Sequence, residues 1–66
     1  MRITINGNEK ELTAPIALGE LVGQYCANTK HVIAEVNGEI IGAAQWTDRP
    51  IKEGDSIELV SFVGGG

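Results

Sequence analysis

The chain has little of what small secreted or cofactor-bearing domains rely on. Cys26 is the single cysteine among 66 residues, so no internal disulfide can form. Bare secreted domains of this size usually carry several, and a reducing, cytoplasmic setting is therefore expected. His31 is the single histidine, and no His, Cys or paired carboxylates stand at metal-ligand spacing. Tyr, Trp and Phe occur once each, which leaves the core to Ile, Leu, Val and Ala. A core that small has no room for a large cofactor, so none is expected to be bound. Basic residues are also scarce. Five Lys and Arg against nine Asp and Glu give a net charge of −4. Nucleic acid and anionic membranes favour basic surfaces and are poor partners for such a chain, whereas a basic protein surface suits it. No apolar run approaches the length needed to span a bilayer, and no targeting pattern opens the chain. The strand pattern that begins at Met1 leads to the expectation that nothing precedes the domain. Gly19 and Gly23 have Gly-x-x-x-Gly spacing, but outside a long apolar segment that carries no membrane dimerisation.

What is present is one domain's worth of alternating and helical patterns. Met1 to Asn6 alternates with period two, Asn6-Gly7 is a hairpin signal, and Glu9 to Leu12 reads as the return strand. Pro15 breaks that pattern. Ala17 to Ala27 has helical spacing, with Leu18, Leu21, Val22 and Tyr25 on one face and Cys26 at its edge as a small hydrophobe. Ala17 is a poor cap, and two interior glycines weaken the helix, which must depend on packing against a sheet. Asn28 is expected to end it in the left-handed conformation. His31 to Val36 reads as a strand, Asn37-Gly38 as a second hairpin turn and Glu39 to Ile41 as its return. Gly42 to Arg49 is irregular, with one helical turn around Trp46. After the turn at Glu53-Gly54-Asp55, Ser56 to Val63 is the last and longest strand. A hairpin, one helix and further strands predict one sheet with a helix across one face, the first and last strands lying centrally. The domain is expected to cover residues 1–63, with 64–66 as a flexible glycine tail.

Alternation also separates the two sheet faces. If Ile57 and Leu59 face the helix, then Glu58, Val60 and Phe62 face away, and the same logic turns Ile33 and Glu35 outward. Ile33, Val60 and Phe62 then form an apolar patch that a small domain rarely leaves to water, so a partner-docking face is expected there. Glu35, Glu58 and Asp55 are expected to supply its acidic rim. His31 has no nucleophile or ligand companion in sequence and reads as a surface residue.

Gly64-Gly65-Gly66 directly follows the last strand. Lacking Cβ atoms, these residues are thin enough to enter a narrow groove and, stretched out, reach roughly 10 Å at 3.3–3.6 Å per residue. They could carry a carboxylate into another protein's active site. A carboxylate reacts with nucleophiles only after activation, for instance as an acyl-adenylate, and nothing else in the chain offers comparable chemistry.

The run Ile57-Glu-Leu-Val-Ser-Phe-Val-Gly-Gly-Gly66 resembles the ending of the ThiS sulfur carriers. The likeness extends to the Met1–Gly7 hairpin, Glu20-Leu21-Val22, Val36-Asn-Gly-Glu-Ile-Ile41 and Gly54-Asp-Ser-Ile57, nearly the whole chain. The resemblance implies an α+β, ubiquitin-like β-grasp with a mixed sheet of four to five strands and one helix. It implies that an E1-like adenylyltransferase of the ThiF type, which uses ATP, activates the Gly66 carboxylate. Sulfur originating from a cysteine desulfurase then makes a thiocarboxylate, which a thiazole synthase of the ThiG type consumes. Gly66 would carry the sulfur, Gly64 and Gly65 would give access, and the chain would be a co-substrate with no catalysis of its own. Ala17 departs from the usual Ser or Thr cap, which touches stability and leaves the tail unaffected. Three other readings stay open on the residues: a carrier of the molybdopterin-synthase small-subunit type, a protein modifier joined to lysines through Gly66, and an interaction module with an inert tail.

Overall fold

The computed structural model describes residues 1–61. Two Asn-Gly turns set its framework. Asn6 and Gly7 have φ of 50° and 85°, and Asn37 and Gly38 have 53° and 85°. Left-handed backbone at both central positions matches the twist of the flanking strands, and Asn and Gly adopt it at least cost. Each turn closes an antiparallel hairpin. The first joins β1 (Arg2–Ile5) to β2 (Asn8–Glu11), and the second joins β3 (Val32–Val36) to β4 (Glu39–Ile41). The last strand, β5 (Ser56–Ser61), lies between the hairpins, parallel to β1 and antiparallel to β3. The order β2-β1-β5-β3-β4 gives a five-stranded mixed sheet with the first and last strands adjacent.

Helix α1 (Leu18–Tyr25) covers one face. Its buried Leu18, Leu21 and Val22 pack with Ile3, Ile5, Ala34, Val36, Ile41 and Ile57 from the sheet. Burying each such aliphatic side chain contributes about 1.5–3 kcal/mol, so the core resides in this one layer. Trp46 lies in a 3-10 segment, Ala43–Asp48, and its indole N–H donates to the Ile41 carbonyl at 2.9 Å. A Cβ on Gly19 would stand 3.4 Å from the Trp46 Cβ, so glycine there allows the helix start to approach this segment. The missing cap is partly replaced: the Glu20 carboxylate accepts from the Ala17 N–H at 3.4 Å.

Three expectations are corrected. The helix stops at Tyr25, and Cys26 is already extended at φ −129°. Tyr25 therefore ends outside the apolar stripe, exposed, with the Lys10 ammonium 5.9 Å from its ring centroid. Asn28 is extended too, at φ −119°, and instead caps a short 3-10 turn (Thr29–His31) by accepting from the Lys30 N–H. Asp55 is buried and belongs to no rim. Its two carboxylate oxygens accept from the Asn37 side-chain amide at 3.0 Å and the Lys52 N–H at 2.8 Å, fastening the turn ahead of β5 to the second hairpin. Cys26 packs half-buried against the core, and His31 is exposed. Among the described residues, no helix is long and apolar enough to cross a membrane, and no group of His, Cys, Asp and Glu could hold a metal ion.

Candidate functional site: the open sheet face and the last strand

The helix leaves the opposite face of the sheet uncovered. Register brings the residues expected on that face together: Ile33 on β3 stands directly across from Val60 on β5, and Glu35 directly across from Glu58. Ile33 and Val60 are 36% and 50% exposed. On the other side of Glu35, β4 places Ile40, which is 66% exposed. The sequence reasoning missed Ile40, although the signal was there: Ile41 points inward, so its neighbour on a strand must point out.

The face is thus three exposed aliphatic side chains around two carboxylates. Like charges directly opposite each other on a sheet are destabilising. Among the described residues neither glutamate has an ion-pair partner, since the ion pairs there involve Glu11, with the Met1 amine at 2.9 Å and Arg2 at 3.6 Å. An apolar surface with unneutralised negative charge fits a partner that brings aliphatic groups and a cation. Two surface depressions lie on the helix side, one beside Ile16, Glu20 and Asp48 and another beside Lys10, Leu12 and Gln24, away from this face.

The last strand joins this face to the end of the chain. Its pairing with β3 continues to Ser61 opposite Val32. On the other flank, β1 pairs only with Ser56 and Ile57, after which the Asn6 Oδ1 accepts from the Leu59 N–H at 2.9 Å. Phe62 of the expected docking face, the access residues Gly64 and Gly65 and the expected sulfur-bearing Gly66 lie outside the described residues, as does the expected boundary at residue 63.

A model of the ThiS family matches residues 3–66, through the final glycine. The chain belongs to the ThiS family. The sulfur carrier protein ThiS of Bacillus subtilis is 43% identical over 47 residues, covering 71% of each chain. The crystal structure of the thiamine biosynthesis protein ThiS from Geobacter metallireducens matches over the full length of both chains, with a TM-score of 0.84 at 29% identity. The sheet and helix are therefore the ubiquitin-like β-grasp of ThiS proteins. A thiazole synthase of Paramagnetospirillum magneticum is 32% identical over all 66 residues, and the chain spans 20% of that protein's length. Family membership supports a small carrier of thiamine biosynthesis over the other readings left open by the residues.

Proposed function

We propose that this chain is the sulfur carrier for thiazole formation in thiamine biosynthesis, with Gly66 as the loaded residue. The observation that carries the reading is the family match through Gly66, on a fold whose central strand leads to that end. A terminal carboxylate oxygen attacks the α-phosphorus of ATP on an E1-like partner, and pyrophosphate leaves. The terminal sulfur of a persulfide on a partner then attacks the acyl carbon of the adenylate and AMP departs, and a thiol cleaves the resulting acyl disulfide to leave the thiocarboxylate and a disulfide. The thiazole synthase takes that sulfur, and an oxygen from water or from the acceptor's carbonyl restores the carboxylate. Gly64 and Gly65 contribute slenderness and reach, and the partners supply ATP binding and catalysis. The chain is a co-substrate, turned over without catalysing a step.

A thiazole synthase as acceptor is supported by the Paramagnetospirillum protein, a thiazole synthase similar to this chain over 20% of its own length. Docking is assigned to Ile33, Glu35, Ile40, Glu58 and Val60, whose apolar and acidic character complements a basic, partly apolar enzyme surface. Incubation with a ThiF-type enzyme, ATP and a desulfurase-cysteine sulfur source, followed by intact mass measurement, tests the function. Exchange of one oxygen for sulfur at Gly66, followed by its loss to a thiazole synthase, is the expected result. Lysine-linked conjugates, an unchanged mass, or sulfur passed to a molybdopterin precursor alone would refute it.

A further inference from the structure

The parallel pairing of β1 with β5 ends at Ile5 and Ile57. The Asn6 N–H still donates to the Ile57 carbonyl at 2.9 Å, and then the backbone turns away at φ 50°. The next donor on that edge of β5 is the Leu59 N–H, and the Asn6 Oδ1 accepts it at 2.9 Å. One side chain stands in for the strand residue that the turn removed. Asn37 makes the matching contact at the start of the same strand, accepting from the Ser56 N–H at 2.9 Å. Two identical turn sequences therefore clasp β5 at different points, one near its origin and one toward its exit.

We propose that Asn6 is a positioning residue for the sulfur-transfer reaction: by holding the Leu59 N–H, its Oδ1 fixes the line along which β5 delivers the final glycines to a partner. The inference rests on the carrier function proposed above. Gly66 lies seven residues beyond Leu59, and an extended chain advances about 3.3–3.6 Å per residue. A change in the path of β5 at Leu59 therefore shifts the place from which the strand releases the chain toward Gly66. Misplacing reacting atoms by about 1 Å can cost up to about a hundredfold in rate. Since β3 holds the other flank of β5 through Ser61, loss of the Asn6 contact loosens the strand's aim without detaching it.

Three variants test this. Asn6→Gly keeps the left-handed turn and deletes the acceptor, while Asn6→Asp keeps an acceptor on a residue that tolerates the same φ. Asn37→Gly deletes the equivalent clasp at the far end of the strand. With a ThiF-type enzyme and ATP, Asn6→Gly is expected to lower kcat for pyrophosphate release about three- to tenfold with KM little changed. Asn6→Asp should recover most of it, and folded Asn37→Gly should retain the wild-type kcat. Hydrogen exchange at the Leu59 amide should accelerate at least about fivefold in Asn6→Gly alone. Wild-type kcat in Asn6→Gly, an equal loss in Asn37→Gly, or failure of Asp to rescue would overturn the inference while leaving the carrier function standing. A rise in KM alone would also overturn it, since it would mean that Asn6 touches the partner. An inert wild-type chain would overturn the carrier function and this inference with it, whatever the exchange rates.

Discussion

Glu35 and Glu58 face each other directly across β3 and β5, with no cation paired to either among the described residues. Stability and partner binding should therefore respond in opposite directions to the charge of this pair. Glu58→Gln is expected to stabilise the free protein by about 0.2–1 kcal/mol in urea denaturation, because it removes a like-charge cross-strand pair. The same variant should bind the activating enzyme more weakly, with a smaller dependence on salt, in titrations at several ionic strengths. Unchanged affinity would remove Glu58 from the interface.

The aliphatic part of the face should behave in the complementary way. Val60→Ser and Ile40→Ser change exposed side chains, so folding stability should stay within about 0.5 kcal/mol. If the partner covers both, each should raise the Kd severalfold, the loss expected when a methyl-rich contact worth about 1 kcal/mol or more is removed. Isothermal titration beside thermal melts separates the two effects. Ile40 is the sharper case, because it extends the docking face to the edge strand.

Asp55 should matter for folding and not for docking. Replacing it with Ala leaves the Lys52 N–H and the Asn37 amide without their acceptor beneath a buried position. A cost of about 1–3 kcal/mol in urea denaturation is expected, with partner affinity per folded molecule unchanged.

The two helix glycines should separate cleanly. A Cβ on Gly23 meets open space, so Gly23→Ala is expected to stabilise by about 0.5–1 kcal/mol and raise Tm by several degrees. Gly19→Ala presses on the Trp46 Cβ at 3.4 Å and should gain less.

Glu11 ties the first hairpin to the chain start, and its pH dependence follows from two shifts. The hydrogen bond to the Glu11 carboxylate raises the Met1 amine above its ordinary pKa against the opposing effect of desolvation, and the Glu11 charge adds to the rise. That stabilisation is complete below the ordinary amine pKa and is lost as pH rises through the raised folded value. The bond to the Met1 amine, helped by Arg2, lowers the Glu11 carboxyl. Its contribution is complete above the ordinary carboxylate pKa and disappears as pH falls through the lowered one. Glu11→Gln should flatten both limbs of a stability-against-pH profile and leave the neutral plateau's shape intact. Both groups are exposed, so salt should diminish the effect.

The hairpins, the helix and the two faces of the sheet were legible because Ile3, Ile5, Ala34, Val36 and Ile57 keep strict alternation and the Asn-Gly turns fix register. What escaped the sequence depends on neighbours distant in the chain. Tyr25 and Asn28 carried the right residue types for a longer helix, yet the backbone extends at Cys26 to reach the turn before β3. Asp55 looked like surface charge, and only its apposition to Asn37, eighteen residues away, makes it a buried acceptor. Asn6 read as a turn former, and its bond to Leu59 spans 53 residues. The docking face was visible as outward Ile33, Glu35, Glu58 and Val60, while Ile40 lies on a three-residue strand too short to show alternation by itself.

The middle position of β5 has a consequence for how the molecule comes to exist. Its strand is made last among the described elements, and neither hairpin touches the centre of the sheet without it. Until Ser56 to Ser61 are available, the nascent chain holds two separate ribbons and a helix with no sheet to shield it, each too small to persist alone. Folding is therefore expected to wait until β5 has been made, and a chain that stops short of β5 should stay open to proteolysis. Compactness then acts as a checkpoint: chains that fold at all have already been built as far as the strand leading to the glycines.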